Sequence, residues 1–367
     1  MREENGLLEA ARAALMTLGN RDSGQPLLNE KALQTLVIHE GCARLSLETD
    51  YPLRTREENI RQIIDQTLCE IKGILKTEIE IKSHIFARQV RPGAKRIHGV
   101  KNIILIASGK GGVGKSTTAV NLALALASEG ARTGILDADI YGPSIPHMLG
   151  IADRQSASED GQTLEPVLSY DLKVMSIGFL VDADTPVIWR GPMLVQALNQ
   201  LLFETHWGKL DFLLVDLPPG TGDVQLSLAQ KAPVSGALMV TTPQDIALFD
   251  VRKGVRMFGK VGIPILGVVE NMSIHVCSHC GHVEHLFGSG GGEKMHEELG
   301  VECLGWLPLE LSIREGMDTG VPVMVSAAES RVAEIYRGIA RQMAARLALR
   351  PKDVSAGIPP IVVGKAA

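Results

Sequence analysis

The residues best suited to chemistry form a glycine-rich segment at residues 109–116, with the sequence GKGGVGKS. The segment fits the pattern G-x-x-x-x-G-K-[ST] and lies between an apolar run, residues 102–107, and an Ala- and Leu-rich helical pattern. Glycines let consecutive backbone N–H groups turn inward around a phosphate, and the following helix adds the positive end of its dipole. The spacing therefore predicts a loop that binds the phosphates of a nucleotide.

Two side chains of this loop have predicted chemical roles. Lys115 would reach the terminal phosphates, and the hydroxyl group of Ser116 would bind Mg²⁺. The predicted nucleotide-binding set comprises the loop and the residue after it: Gly109, Lys110, Gly111, Gly112, Val113, Gly114, Lys115, Ser116 and Thr117.

Carboxylates stand where predicted strands end. Asp216 closes the apolar run FLLVD, which is typical of a Walker B strand whose carboxylate holds Mg²⁺ through water. Asp137 and Asp139 close an earlier run, LDAD. Because the carboxyl ends of parallel strands share one edge of a sheet, we expect all three carboxylates beside the phosphate loop. The loop PPGTGD at residues 218–223 follows Asp216 and is placed to sense the γ-phosphate.

A second candidate site is the C-x-x-C pair formed by Cys277 and Cys280, which is followed by Gly281. This spacing brings two sulfurs within reach of one metal centre, and the glycine permits a tight turn. The pair alone leaves three interpretations open. It is half of an iron–sulfur or zinc site, a complete zinc site with His282 and His285, or a redox dithiol. The other three cysteines have no partner at metal-binding spacing and are expected to be structural: Cys42, Cys69 and Cys303.

The elements that must position these residues alternate between strand and helix. Short Val-, Ile- and Leu-rich strands separated by helices predict an α/β fold with a doubly wound, mostly parallel sheet. We assign this domain, which carries the phosphate loop, to residues 96–349 and predict a flexible tail at residues 350–367. The predicted strands are NIILIAS, TGILDAD, KVMSI, FLLVDLP, ALMVTTP, PILGVVEN and VECLGWLP.

Residues 1–95 have a different pattern, which predicts a small α+β domain. A helical pattern with apolar positions from Leu7 to Leu18 precedes two alternating segments within residues 33–50, which predict a hairpin. A second helix with apolar positions from Ile60 to Leu75 and a third strand at residues 77–81 follow. The basic, turn-rich stretch at residues 88–99 is interpreted as a linker.

Composition excludes several classes of protein. The 367 residues are enough for about two domains, and 45% hydrophobic with 22% charged residues is typical of a globular protein. A net charge of −5 disfavours a surface built to coat nucleic acid, and no apolar stretch is long enough to span a bilayer. Because the five cysteines are few and odd in number and no apolar signal core is visible, we expect a cytoplasmic protein.

Lys110 is not required for phosphate binding, and with it the loop KGGVGKS resembles that of the deviant P-loop ATPases. This group, of the SIMIBI type, includes MinD, ParA, the nitrogenase iron protein and Mrp. The resemblance implies that Lys110 crosses a dimer interface to touch the partner's nucleotide, as an arginine finger does. It also implies that Asp139 activates the attacking water and that Asp137 lies near the metal. The predicted catalytic residues are therefore Lys110, Lys115 and Asp139, and Ser116, Asp137 and Asp216 are the predicted magnesium ligands.

The same resemblance assigns a residue to the base of the nucleotide. Asn271 ends the predicted strand PILGVVEN, and in the deviant group an Asn at this strand end hydrogen-bonds adenine. The guanine-binding pattern Asn-Lys-x-Asp is not visible in the sequence. We therefore expect ATP rather than GTP.

A longer resemblance is to the Mrp-type iron–sulfur carrier ATPases, through NMSIHVCSHCGHVEHLFG at residues 271–288. It extends over nearly all of residues 96–345 and includes LDADIYGPSIPHMLG, WRGPM, VDLPPGTGD and IREGMDTGVPV. It implies a slow ATPase that binds ATP and Mg²⁺ as a homodimer. Cys277 and Cys280 would contribute half of the ligands of a [4Fe–4S] cluster bridging two subunits. The cluster would pass to apo iron–sulfur proteins, with cluster-assembly scaffolds as further partners.

Two departures from this family concern the cysteine loop and the first domain. Ser278 stands where the family often has proline. The first domain resembles the family's N-terminal domain only weakly, with Tyr51 near the place of its reactive cysteine. For this domain we therefore expect a docking role rather than a role in handling clusters.

Two other functions stay open from the sequence. A MinD- or ParA-like positioning ATPase would bind membrane or DNA and hold zinc in the C-x-x-C loop. The apolar stripe between Val332 and Leu347 is a candidate membrane helix, but a Pro-containing tail follows it, so we expect it to lie on the sheet. An electron-transferring ATPase like the nitrogenase iron protein is disfavoured, because that group draws its cluster cysteines from two separate loops.

Overall fold

Two units, each with its own β-sheet and hydrophobic core, make up the described part of the chain. The computed structural model describes residues 2–18, 32–158, 163–180 and 191–353. Trp189 and Arg190 of the WRGPM segment, and residues 354–367 of the predicted tail, lie outside the described residues.

The first unit packs two helices against a three-stranded sheet in the order β1-β2-β3. Its elements are α1 (Arg2–Met16), β1 (Leu33–His39), β2 (Cys42–Thr49), a short 3-10 helix (Arg54–Arg56), α2 (Glu57–Cys69) and β3 (Lys76–Ser83). Ile60, Ile64 and Leu68 recur at every fourth position of α2 and are buried, so this face of the helix covers the sheet. The predicted hairpin is the antiparallel pair β1–β2, and β3 joins β2 in parallel.

The second unit is built on an eight-stranded sheet in the order β13-β10-β9-β4-β8-β5-β7-β6. Its strands are β4 (Val100–Ser108), β5 (Thr133–Asp137), β6 (Val167–Ser169), β7 (Leu172–Ser176), β8 (Leu210–Asp216), β9 (Val234–Thr241), β10 (Ile265–Glu270) and β13 (Cys303–Trp306). A separate small hairpin consists of β11 (His275–Val276) and β12 (Val283–Glu284). The pairings within the large sheet are parallel except β6–β7, which confirms the predicted doubly wound, mostly parallel fold.

Helices cover both faces of this sheet. They are α3 (Lys115–Ser128), α4 (Ile145–Met148), α5 (Gly191–Phe203), α6 (Asp223–Lys231), α7 (Asp245–Lys260), α8 (Gly291–Leu299), α9 (Leu311–Asp318), α10 (Val323–Ser326) and α11 (Arg331–Ala348). α3 is apolar on nearly all sides because it lies between the sheet and α11. The apolar stripe of α11, including Tyr336 and Met343, is buried in this contact, as expected from the sequence. Within the described residues, no helix is both long and apolar enough to cross a membrane.

The sheet order brings the predicted site residues to one edge. β4 lies at the centre between β8 and β9, and the phosphate loop follows its carboxyl end. Asp137, at the end of β5, lies in register with Asp216, at the end of β8. The two carboxylates therefore lie together on one side of the phosphate loop, at the ends of neighbouring strands.

The two units meet at the C-terminal end of α3, where Glu129 lies. The buried carboxylate of Glu129 accepts hydrogen bonds from the backbone N–H and hydroxyl of Thr55 at 3.0 and 2.5 Å and from Arg341 at 2.5 Å. The helix that begins at the phosphate loop thus ends on the first unit. The Glu129 side chain is 0% and the Arg341 side chain 4% exposed, so the buried carboxylate takes its counter-charge from Arg341, which also pairs with Glu334 at 2.8 Å.

The structure differs from the sequence analysis at the predicted linker and at the start of the predicted tail. Arg88, in the linker, is buried and donates to Asp50 at 2.9 Å and to the carbonyl of Arg350 at 3.0 Å. Arg96 pairs with Asp353, and Lys352 with Asp50. The turn-rich, basic composition indicated a linker, but two of its arginines are held by Asp50 of the first unit and by Asp353 near the predicted tail.

Candidate functional site

The phosphate loop has the backbone that its glycines predict. Gly112 and Gly114 adopt φ values of 80° and 78°, a region that disfavours side chains. The hydroxyl of Ser108 donates a hydrogen bond to the carbonyl of Lys110 at 3.0 Å, which fixes the start of the loop. A Cβ atom at Gly109 would fall on Asp250 of α7, so close contact with that helix also requires glycine.

Lys115, Ser116 and Asp216 form one compact cluster. Lys115 Nζ lies 2.7 Å from Asp216 Oδ1, and the Ser116 hydroxyl donates to Oδ2 of the same carboxylate at 2.5 Å. Lys115 and Asp216 are 6% and 0% exposed. Burial raises the pKa of Asp216, while the ammonium of Lys115 and the hydroxyl of Ser116 oppose that shift. The groups predicted to bind phosphate and Mg²⁺ therefore lie together, with hard oxygen donors of the kind that Mg²⁺ takes.

Asp137 organises the loop that follows β5. Its carboxylate accepts hydrogen bonds from the backbone N–H groups of Asp139 and Ile145, both at 3.1 Å, and lies 3.4 Å from the Ser176 hydroxyl. Complete burial and the nearby charge of Asp216 raise the pKa of Asp137 to about 8. Its role near the metal stays a prediction, since in this structure both carboxylate oxygens are engaged by the chain.

Asp139 lies beside a cavity of about 510 Å³. Its side chain is half-buried, and burial raises the pKa of its carboxyl group. Leu194 and Leu198 of α5, together with Pro218 and Pro219, supply apolar walls. The carboxylate predicted to activate water therefore faces a space bounded by the loop predicted to sense the γ-phosphate.

Lys110 has a partner within its own chain. Its Nζ donates to Oε1 of Gln244 at 3.2 Å, and the hydroxyl of Thr242 donates to the same oxygen at 2.9 Å. The structure thus places this lysine at the end of β9. The predicted contact of Lys110 with a partner's nucleotide stays a prediction.

Asn271 is buried underneath the phosphate loop. Its Nδ2 donates to the carbonyl of Val113 at 2.9 Å, and its backbone N–H donates to the carbonyl of Thr241 at 2.7 Å. A Cβ atom at Gly114 would fall on the same amide nitrogen. The side-chain nitrogen is therefore engaged by the loop, and a contact with adenine stays a prediction.

Cys277 and Cys280 lie in the turn between β11 and β12. The backbone N–H of Cys277 donates to the carbonyl of His282 at 2.9 Å, and that of Gly281 donates to the carbonyl of Cys277 at 2.8 Å. Gly281 has a φ of 71°, which closes the turn. Backbone N–H groups of Cys280 and His279, then the Cys280 thiol, lower the pKa of Cys277. The hairpin thus presents two accessible sulfurs and favours a thiolate.

The histidines near this hairpin have other partners. His275 Nδ1 donates to the carbonyl of Leu309 at 3.1 Å, and His285 Nδ1 donates to the carbonyl of Ser273 at 3.0 Å. In the part of the chain that the structure describes, no three His, Cys, Asp or Glu side chains are grouped to hold a metal ion. A zinc site completed by His282 and His285 within one chain therefore finds no support in this geometry, whereas a pair of thiols that forms half a site agrees with it.

Two residues beside the sites, Gln225 and Gln244, were not singled out from the sequence. Gln244 holds Lys110, and Gln225 donates to the carbonyls of Pro218 at 3.1 Å and Pro219 at 2.8 Å. His285, which the sequence offered as one possible zinc ligand, instead donates to the backbone at the base of the hairpin. The only sequence signal for Gln244 was its position just after a predicted strand, and no local pattern marks Gln225.

Comparisons with known proteins find relatives that are named for nucleotide binding or for carrying iron–sulfur clusters. Residues 99–344 match the ParA family model described as NUBPL iron-transfer P-loop NTPase. The iron-sulfur cluster carrier protein of Escherichia coli K12 is 49% identical over 317 residues, which cover 86% of each chain. A nucleotide-binding protein of Archaeoglobus fulgidus, solved with ADP, is 37% identical with a TM-score of 0.56. That match covers 65% of this chain and 93% of that one.

The cell division ATPase MinD of Pyrococcus furiosus has a related structure. It is 25% identical with a TM-score of 0.52, and the match covers 66% of this chain and 98% of that one. The similarity to the bacterial carrier is higher in identity and extends over more of this chain.

Proposed function

The chain belongs to the ParA family of P-loop NTPases, in the group described as NUBPL iron-transfer proteins, and from that premise we propose that it is an ATP-dependent carrier of iron–sulfur clusters. The observation that carries this proposal is the accessible Cys277–Cys280 turn, which begins six residues after Asn271 under the phosphate loop. The high similarity to a bacterial protein named as a cluster carrier supports it.

ATP would bind in the phosphate loop with Lys115 moved from Asp216 to the terminal phosphates. The Ser116 hydroxyl and Asp216 carboxylate would hold Mg²⁺, which supplies charge neutralisation to the phosphates when bound. The 2.5 Å hydrogen bond between these two groups supports this assignment, because it places their oxygens close together. Asp137 would support the site from the neighbouring strand.

Hydrolysis would be slow and coupled to cluster loading or release. Asp139 would orient or deprotonate the attacking water, since its raised pKa makes the carboxylate a better base. Lys110 would leave Gln244 and enter the partner's nucleotide site, where its charge stabilises the transferred phosphoryl group. Catalysis would therefore require the homodimer.

The cargo is a [4Fe–4S] cluster, which takes four thiolates. One chain supplies the accessible pair Cys277 and Cys280, so two chains related by a two-fold axis would complete the set. The exposed Cys280 and the partly exposed Cys277 suit a cluster that is passed on to apo-proteins rather than retained. We place this activity in the cytoplasm, with apo iron–sulfur proteins and assembly scaffolds as partners.

Anaerobic reconstitution tests the proposal. Cys277→Ser and Cys280→Ser should each lose bound iron and sulfide and the visible absorption of the cluster, because each removes two of four ligands from the dimer. Cys69→Ser is the matched control, since Cys69 is an exposed thiol in the first unit. Equal iron and sulfide retention in all four proteins would contradict the proposal.

A further inference from the structure

The segment 271–274 connects the phosphate loop with the cysteine hairpin, and each of its ends is fixed by hydrogen bonds. It follows β10 directly and leads into β11. The inference drawn from it rests on the proposed carrier function and concerns how the two sites of that function communicate.

At the N-terminal end of the segment, Asn271 fills the space under the phosphate loop. Its amide donates to the carbonyl of Val113, and the absence of a side chain at Gly114 is what makes room for it. These loop residues carry the backbone N–H groups that a bound phosphate would use. A change in the path of the loop on nucleotide binding must therefore move or release the Asn271 amide.

In the middle, the chain has little freedom to absorb such a movement. Met272 adopts a φ of 56°, a left-handed region that non-glycine residues rarely occupy because of steric strain. The next residue, Ser273, is held on the neighbouring strand end because its N–H donates to the carbonyl of Leu307 at 3.0 Å. A conformation that is both strained and fixed on each side is suited to switch between discrete states.

At its C-terminal end, the segment holds the base of the hairpin. The carbonyl of Ser273 accepts the hydrogen bond from His285, which follows β12, at 3.0 Å. On the other side, Leu309 donates its N–H to the carbonyl of Ile274 at 2.7 Å and accepts from His275 at 3.1 Å. His285 is thus the side chain that ties the returning strand of the hairpin to the segment under the phosphate loop.

We propose that residues 271–273 transmit the occupation of the phosphate loop to the cysteine hairpin, with His285 as the positioning residue that fixes the hairpin to this segment. Nucleotide binding changes the contact between Asn271 and Val113, the Met272 turn follows, and the Ser273 carbonyl moves with it. His285 carries that movement into the turn that holds Cys277 and Cys280. The accessibility of the cargo then depends on the nucleotide.

The test compares the rate at which a ferrous chelator removes iron from the reconstituted dimer with and without a non-hydrolysable ATP analogue. Wild type should show a rate difference of at least about fivefold, the lower end of ordinary allosteric coupling. His285→Leu should reduce that difference to less than about twofold, with unchanged iron content and nucleotide affinity. His285→Asn, which keeps a donor near the position of Nδ1, should restore it. His296→Leu, on the surface of α8, is the matched control and should behave as wild type.

A second measurement needs no cluster. Hydrogen exchange of the backbone amides in residues 276–284 should change on analogue binding in the apo wild type and in His296→Leu, but not in His285→Leu. A nucleotide effect of wild-type size in His285→Leu, or none in wild type, would overturn the inference. If wild type retains no cluster, the carrier function fails, and the exchange experiment still decides whether the two segments are coupled.

Discussion

Lys115 Nζ and Asp216 Oδ1 lie 2.7 Å apart, with the lysine side chain 6% exposed and the aspartate fully buried. The lysine expected to bind phosphate and the carboxylate expected to support Mg²⁺ thus neutralise each other in this structure. Nucleotide binding has to separate them, and the phosphates and the metal then replace the lost partners. Before its ligand arrives, the ion pair leaves neither buried charge without a partner.

Removing only the lysine should destabilise the protein. Lys115→Ala leaves the buried Asp216 carboxylate without its counter-charge, and loss of one partner of a buried pair costs about 3–5 kcal/mol. The double variant Lys115→Ala/Asp216→Ala removes both charges and should recover part of that loss. Urea unfolding without nucleotide measures both free energies. A double variant less stable than Lys115→Ala would contradict this account of the pair.

Gly114→Ala and Gly112→Ala should have unequal effects on stability. Both positions have φ near 80°, so each alanine costs about 1–2 kcal/mol. Only at Gly114 would the new Cβ also fall on the Asn271 amide, whereas Gly112 has open space. Gly114→Ala should therefore lower the free energy of unfolding further, and adding Asn271→Ala should recover part of the difference. Equal losses for the two glycine variants would show that Asn271 does not constrain the loop.

Thr55→Val should loosen the contact between the two units. The substitution keeps the shape of the side chain but removes a hydroxyl that donates to the buried Glu129 at 2.5 Å, a bond to a charged group worth about 1.5–3 kcal/mol. Thr77→Val is the matched control, because the Thr77 hydroxyl donates to the exposed Asp65 at 2.6 Å. Unfolding of both full-length variants measures the difference. If Thr77→Val costs as much as Thr55→Val, burial of the Glu129 contact is not what stabilises the interface.

Cys303 should react with alkylating reagents far more slowly than a cysteine whose thiol has the ordinary pKa. Burial raises the pKa of its thiol from 9.0 to about 11, so the neutral form persists to higher pH in the folded state and the thiolate fraction at pH 8 falls about 100-fold. Alkylation of Cys303 should rise about tenfold per pH unit between pH 8 and 10. Mass spectrometry of native and urea-unfolded protein measures these rates. Equal rates in the two states at pH 8 would contradict the burial of this thiol.

The sequence was sufficient for the parallel strands and for the edge of the sheet where the site lies, but it predicted neither the antiparallel strand β6 nor the β11–β12 hairpin. Continuous apolar runs identified the parallel strands, and strand-end positions placed Asp137 and Asp216 beside the phosphate loop, where register brings them together. This succeeds because side-chain patterning records burial, and topology then fixes which strand ends meet.

Contacts between distant segments could not be predicted in the same way. No local pattern shows that Arg88 is buried against Asp50, or that His285 reaches the Ser273 carbonyl instead of a metal. The partner of Asn271 depends on the direction of the Val113 carbonyl, which the positive φ of Gly114 helps to set. Such contacts are decided by tertiary packing, which residue type and spacing do not encode locally.

The most direct test of the central claim is the native mass of the anaerobically reconstituted protein, measured together with its iron and sulfide content. Half a ligand set per chain predicts a dimer that holds one [4Fe–4S] cluster for every two chains and falls apart to cluster-free chains when Cys277 is replaced. A monomer with a complete metal site, or a dimer of the same mass and iron content after loss of Cys277, would contradict it.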